Sequence, residues 1–171
     1  YGVIAVAGGD STINEVVNGL AARASTAPPL ALVPLGTANV LAHELGLGST
    51  AAALAEAITA GHEVLMHPGQ ARGAGGPRCF SLMAGAGFDA KVVAGVSSGL
   101  KRRWGKIAYV WRSLVEARRH RPVRYGVAID GVDHEAASVI VTHARHYAGP
   151  YVVAPAASLD APLLHVCLFE R

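Results

Sequence analysis

Two short apolar runs, each ending in glycine and passing directly into a helix-spaced segment, constrain this chain most. Gly2 to Ala7 reads Gly-Val-Ile-Ala-Val-Ala and stops at Gly8-Gly9. A continuous apolar run of this length predicts a strand buried on both faces, as in a parallel sheet. From Thr12 the period changes: Ile13, Val16, Val17 and Leu20 share one helical face, and Thr12 with Glu15 has the spacing of a capping box. Leu30 to Val33 repeats the strand, Gly36 to Asn39 the turn, and Val40 to Leu45 a short helix. Thr50 to Ala60 is a third helix, stopped by Gly61. Alternating strands and helices predict an α/β layer, and parallel strands bring both glycine turns to one carboxyl edge.

The 171 residues are 51% hydrophobic and 16% charged, enough apolar area for a core and too little charge for a disordered tail. No run of about 18 apolar residues predicts a membrane span. The chain starts at Tyr1 without a basic leader, which reads as a fragment. Cys79 and Cys167 lie in hydrophobic runs and read as buried thiols of a reducing compartment. The second half has a different texture. Gly69 to Pro77 reads as a flexible turn or loop, Cys79 to Ala84 as a strand, and the residues after Gly87, to about Val96, as a helix. Leu100 to Arg119 reads as a long helix with an apolar stripe. Alternation from Val123 to Ile129 predicts a strand, Asp130-Gly131 a type I′ hairpin turn, and Ala137 to Thr142 its return strand. Tyr151–Val153 and Leu163–Phe169 are further strands. The expected division is an α/β lobe over 1–61 and a β-rich, sandwich-like lobe with inserted helices over 62–171.

The chemistry concentrates in the turns. Gly8-Gly9-Asp10-Ser11-Thr12, between a strand and a helix N-terminus, suits a phosphate, because glycines admit close approach and free N–H groups point at the guest. Asp10 would repel phosphate directly, so it is a candidate for Mg²⁺ or ribose contact. Gly36, Thr37 and Asn39 form a second turn 28 positions after Gly8. Gly85 to Ala90 mimics a dinucleotide fingerprint but lacks the acidic residue that should follow. The histidines, His143 and His146 included, lack metal-site spacing, and no nucleophile elbow occurs. The formal charge of +3 conceals a segregation: Lys101 to Arg124 holds nine basic residues and one acid, Glu116. Such a field points to an anionic partner, a membrane surface, nucleic acid or phosphate, with a solvated helix face as the alternative reading.

The run Gly8-Gly9-Asp10-Ser11-Thr12-Ile13-Asn14-Glu15-Val16-Val17-Asn18-Gly19-Leu20 resembles the signature of the diacylglycerol kinase catalytic domain superfamily, which includes sphingosine kinases and soluble bacterial lipid kinases. Pro34 to Leu47, Phe80 to Ala90, Leu100 to Val110 and Tyr147-Ala148-Gly149 through Val166 are similar to its further motifs, in order. The resemblance implies a nucleotide lobe like those of NAD kinase and phosphofructokinase, missing its first strand and loop before Tyr1, and a β-rich lipid lobe missing its last strands. About 120 further residues would complete it. It implies transfer of the ATP γ-phosphoryl group to a lipid primary hydroxyl. Gly8, Gly9, Asp10, Ser11 and Thr12 would hold ATP and Mg²⁺, with Asp10 the metal ligand, and Gly36, Thr37 and Asn39 would form the second phosphate-side loop. Asp10 and Asp89 are then the candidate catalytic carboxylates, Asp89 orienting the lipid hydroxyl or capping a helix, and the general base lies beyond Arg171. Apolar residues such as Phe80, Leu82, Met83 and Phe88 would hold acyl chains. Given a lipid substrate, the Lys101–Arg124 segment reads as a contact with an anionic membrane surface and not nucleic acid, placing the protein in the cytoplasm, peripheral at the inner membrane face. Two departures stand out. Ser11 replaces the motif's fourth residue, glycine, at a cost of order 1 kcal/mol if that site needs positive φ, and Ala161-Pro162-Leu163-Leu164-His165 replaces an acidic turn, leaving Asp160. They motivate one alternative, a non-catalytic nucleotide- or lipid-binding relative. An NAD kinase-like enzyme on a soluble substrate is the other.

Overall fold

A computed structural model describes residues 2–23, 25–87 and 123–170. Asp89, the expected helices after Gly87 and over Leu100–Arg119, and the basic segment up to Arg121 lie outside the described residues. The described elements are β1 Ile4–Gly8, α1 Asp10–Leu20, β2 Leu30–Pro34, α2 Val40–Glu44, α3 Ala51–Ala60, β3 Gly69–Gly73, β4 Gly76–Phe80, β5 Met83–Gly87, β6 Tyr125–Ile129, β7 Val132–Ala136, β8 Ser138–Thr142, β9 His146–Tyr147, β10 Tyr151–Val152 and β11 His165–Phe169. They fall into two compact units, one of Tyr1–Met83 with Thr142–His165, the other of Ala84–Val141 with Val166–Arg171. Residues 62–83 and 142–165 thus cluster with the α/β unit, although the sequence pattern divides the chain near residue 61.

In the first unit β1 and β2 run parallel in register, Ile4 opposite Leu30 and Gly8 opposite Pro34. Val6 and Leu32 are the residues of these strands that are buried, fewer than a two-sided strand requires. An open groove of about 1210 Å³ runs along β2, lined by Leu30, Leu32, Leu41, Leu45, Ile58 and Leu65. The core gathers Val6, Ile13, Val17, Leu32, Val40, Leu41, Leu82, Ala144 and Leu159. Phe80 and Leu82, expected to hold acyl chains, are buried here; each such side chain contributes about 1.5–3 kcal/mol by leaving water.

Helix α1 begins earlier than the Thr12–Glu15 box requires. Gly9 is its N-cap without a side-chain cap, and the Thr12 and Ile13 N–H groups both donate to the Gly9 carbonyl. Glu15 instead meets Arg78 at 2.6 Å, both exposed. In Gly69 to Pro77 the turn is confined to two residues, and strand flanks it on both sides. The segment belongs to the hairpin β3–β4, with Gly73 opposite Gly76 closing a two-residue turn at Ala74-Gly75; the glycines make the turn, and Gln70 to Arg72 supply strand residues.

Polar groups on α1 attach this hairpin. Asn14 and Asn18 are one helical turn apart and face the same way. The Ser81 N–H donates to Asn14 Oδ1 at 2.8 Å, the Cys79 N–H donates to Asn18 Oδ1 at 2.9 Å, and Asn18 Nδ2 donates to the Cys79 carbonyl at 2.9 Å. The two side chains satisfy backbone groups that a neighbouring strand would otherwise take.

The second unit holds a three-stranded sheet in the order β11, β8, β5 and the antiparallel pair β6–β7. Asp130 and Gly131 have φ of 49° and 83°, the type I′ geometry that the dipeptide predicts. The return strand is β7, not the later run from Ala137, which forms β8 in the other sheet. Cys79 and Cys167 are half-buried, and burial pushes the pKa of the Cys167 thiol above its ordinary value.

Replacing Asn18 by Ala strips both Cys79 backbone groups of their partner. Stability should fall by about 1–3 kcal/mol, read as a lower urea midpoint with an unchanged slope.

Candidate functional site

Both glycine turns leave parallel strands at the same edge, so they meet. The Leu35 N–H donates to the Gly8 carbonyl at 2.9 Å, extending the β1–β2 ladder past Pro34. Beyond that point the loops touch through their α-carbons. A Cβ on Gly36 would sit 2.5 Å from Gly9 Cα and 2.6 Å from Asn39 Oδ1; one on Gly9 would sit 2.9 Å from Gly36 Cα. The pattern reads these glycines as room for a ligand, but the close approach at Gly9 and Gly36 is to each other.

Asp10 locks the contact. The Val40 N–H donates to its Oδ2 and the Leu41 N–H to its Oδ1, both at 3.0 Å. These are first-turn donors of α2, unpaired within the helix, and the positive helix end favours the carboxylate. Asp10 therefore caps a helix 30 residues away, because α2's own N-cap, Asn39, is employed elsewhere. Asn39 is left-handed, with φ 47°. Its Oδ1 accepts from the Gly36 N–H at 2.8 Å, and its Nδ2 donates to the Gly36 carbonyl at 3.0 Å. Asn39 thus shapes the second loop from within.

Ser11 and Thr12 are exposed on the first turn of α1, and Thr37 is half-buried. Ser11 lies within the helix and outside the positive-φ residues, so the backbone cost anticipated for replacing glycine does not arise. Ser11 and Thr12 put two exposed hydroxyls on the first turn of α1, and Thr37 lies on the loop that Gly9 touches; hydroxyls and a helix N-terminus are a donor set that fits phosphate oxygens. The same residues fit a protein-held divalent ion poorly. Both Asp10 oxygens accept backbone N–H groups, and among the described residues no group of three or more His, Cys, Asp or Glu gathers into a ligand set. Asp160, the survivor of the acidic turn, accepts from the Ser158 hydroxyl.

Sequence reading missed the polar residues behind α2. Glu44 has a side chain 5% exposed, and its Oε1 accepts from the His146 backbone N–H and from His146 Nδ1, the latter at 2.8 Å. His43 is exposed, its ring 6.4 Å from that of His146. His143 is fully buried, and neither ring nitrogen meets a partner at hydrogen-bond geometry. Burial pushes its pKa below the ordinary value; the Ser81 backbone and the Glu44 carboxylate oppose this, and His67 adds to it. An apolar stretch carrying His143 and His146 gives no hint that one ring is buried without a partner and the other is paired.

Residues 1–71 match the family model described as the diacylglycerol kinase catalytic domain, and residues 83–171 match that of the YegS C-terminal NAD kinase beta sandwich-like domain. A diacylglycerol kinase of Bacillus subtilis is 30% identical over 100% of this chain and 56% of its own length. A "probable lipid kinase YegS-like" of Pseudomonas aeruginosa is 31% identical over 98% of this chain and 54% of its own. A crystal structure of a diacylglycerol kinase from Bacillus anthracis superposes on 99% of this chain and 54% of that one, with a TM-score of 0.69 and 26% identity. The chain spans about half the length of these relatives, and the two-part α/β and β-sandwich-like architecture is shared with them.

Gly36→Ala should force the loops apart and lower stability by about 1–3 kcal/mol, measured by urea denaturation. His143 makes a separate prediction. Its folded pKa lies below its unfolded value near 6.5, so the unfolded chain binds the proton first, and stability falls as pH drops below that value towards the lowered one. In His143→Leu the urea midpoint should lose this part of its acid-side slope.

Proposed function

Because the chain belongs to the diacylglycerol kinase family of lipid kinases, with the catalytic-domain sequence followed by the β-sandwich-like one, we propose that it takes part in transferring the γ-phosphoryl group of ATP to a primary hydroxyl of a diacylglycerol-like lipid. The observation that carries this reading is the junction of the two glycine loops. Phosphoryl transfer is chiefly a matter of positioning and charge neutralisation. A fixed turn joined to a helix N-terminus, with exposed Ser11 and Thr12 on its first helical turn, supports the first need and part of the second.

In this proposal the Gly8–Thr12 turn and Thr37 receive the phosphates. Ser11 and Thr12 donate hydroxyl hydrogen bonds to their oxygens. Asp10 holds α2, and through it the second loop, at a fixed distance. Asn39 keeps Gly36 in place. No ligand role for a metal is assigned to the described residues, since Asp10 is engaged by α2; ATP supplies the group that moves. Asp89 keeps its proposed part in orienting the lipid hydroxyl. The Lys101–Arg124 segment is the proposed contact with an anionic membrane surface on the cytoplasmic side, where each basic residue near the surface adds about 1 kcal/mol. Of that segment Arg124 is described, 3.4 Å from Glu135 in an exposed pair. No helix among the described residues is long and apolar enough to cross a membrane.

The altered turn at Ala161–His165 supports a second reading, a relative that binds nucleotide or lipid without turnover. One experiment separates them. Radiolabelled ATP is offered to the purified protein with mixed micelles containing diacylglycerol, and ATP binding is followed by calorimetry. The kinase reading expects label in lipid, reduced more than about tenfold in Asp10→Ala. Binding without labelling would favour the second reading, and labelling undiminished in Asp10→Ala would remove the loop junction from the mechanism.

A further inference from the structure

We propose that Glu44 is a positioning residue for nucleotide binding, holding through His146 the Arg145–Gly149 turn that supports the second glycine loop from behind. The inference rests on the reading of the loop junction as a nucleotide site.

Helix α2 has five residues, too few to hold itself together in water. Asp10 fixes its first turn, and Glu44 lies at its other end. A carboxylate this deeply buried is costly unless its oxygens are satisfied. Here a single oxygen, Oε1, takes both His146 donors, the backbone N–H and Nδ1. The double bond fixes the start of β9 in position and the ring in orientation, with Nδ1 carrying the proton.

From His146 the chain continues through Tyr147, Ala148 and Gly149 before β10 returns, Tyr151 opposite Tyr147. Ala148 and Gly149 have φ of 52° and 111°, so the turn is tight. It lies beside the loop, near enough that a Cβ added at Gly149 would come into ordinary van der Waals contact, 3.7 Å, with the Ala38 carbonyl oxygen. Ala38 is at the centre of the Gly36–Asn39 stretch. The second loop is held by Asp10 through the N-terminus of α2 and by Asn39 from inside, and in this proposal the neighbouring turn is its third support. Glu44 governs the third support. Without it α2 keeps its Asp10 cap and its buried Val40, Leu41 and Ala42, but the turn loses its tie to the helix.

The test uses the purified protein, with the dissociation constant for ATP from calorimetry, KM for ATP and kcat from lipid labelling, and the thermal midpoint. Glu44→Ala should weaken ATP binding about tenfold and raise KM in step, with kcat within about twofold. Glu44→Gln keeps an Oε1 that accepts both His146 donors, and should restore binding to within about twofold of the parent. Thr50→Ala removes the cap of α3, where Oγ1 accepts from the Ala53 N–H; it should lower the midpoint without moving the dissociation constant. Should Glu44→Ala not fold, His146→Ala, which keeps the backbone bond, should weaken ATP about threefold. Parent-like ATP affinity in Glu44→Ala, or in His146→Ala when that variant decides, overturns the proposal, as does a loss that Gln fails to restore. ATP binding with this pattern but no lipid labelling overturns the lipid-kinase reading and leaves this one standing. No ATP binding by the parent overturns both.

Discussion

The two hydrogen bonds from α2 to the Asp10 carboxylate are the constraint on which the rest of the first unit depends. Each joins a charged acceptor to a backbone donor, a class contributing about 1.5–3 kcal/mol, at a helix end where negative charge is favoured. They convert two loops that are near each other because their strands are parallel into one rigid object. The glycine contact, the internal bonding of Asn39 and the position of α2 all require that distance to be fixed. The cost is chemical freedom: a carboxylate capping a helix with both oxygens is less available as a ligand.

The backbone grammar was legible in the sequence. The apolar runs ending in glycine became β1 and β2, the helical spacing became α1, and Asp130-Gly131 became the turn it resembles in every hairpin. What stayed hidden depended on partners far along the chain. Thr12 and Glu15 have capping-box spacing, but the helix starts at Asp10, and Glu15 has Arg78 available 63 residues later. Glycine-rich Gly69 to Pro77 has little strand propensity of its own; it pairs because its glycines close a two-residue turn, while α1 holds the chain just beyond it through Cys79 and Ser81. Asp10 was legible as important and illegible in role, since sequence cannot show which amides a carboxylate will meet.

Polar side chains do much of the assembly in this unit. Asn14, Asn18, Asn39, Asp10 and Glu44 each satisfy backbone donors of a separate segment or loop. Apolar packing sets how closely these segments approach, but it is indifferent to small sliding movements. Directional bonds to named amides remove that freedom, which suits a surface whose task is to present N–H groups at fixed positions. His143 is the exception, a buried ring with unpaired nitrogens, and it ties the integrity of the unit to proton concentration.

The contact of Gly9 with Gly36 has an evolutionary side. A clash between side chains can be relieved by trimming the partner, so most packing positions drift in compensating pairs. Here each partner is already the smallest residue there is, and the opposing atom is main chain. No second substitution can make room for a first. Descendants of this chain can exchange Ser11 for glycine and back with little backbone consequence, but the glycine pair offers no such path and must be inherited intact.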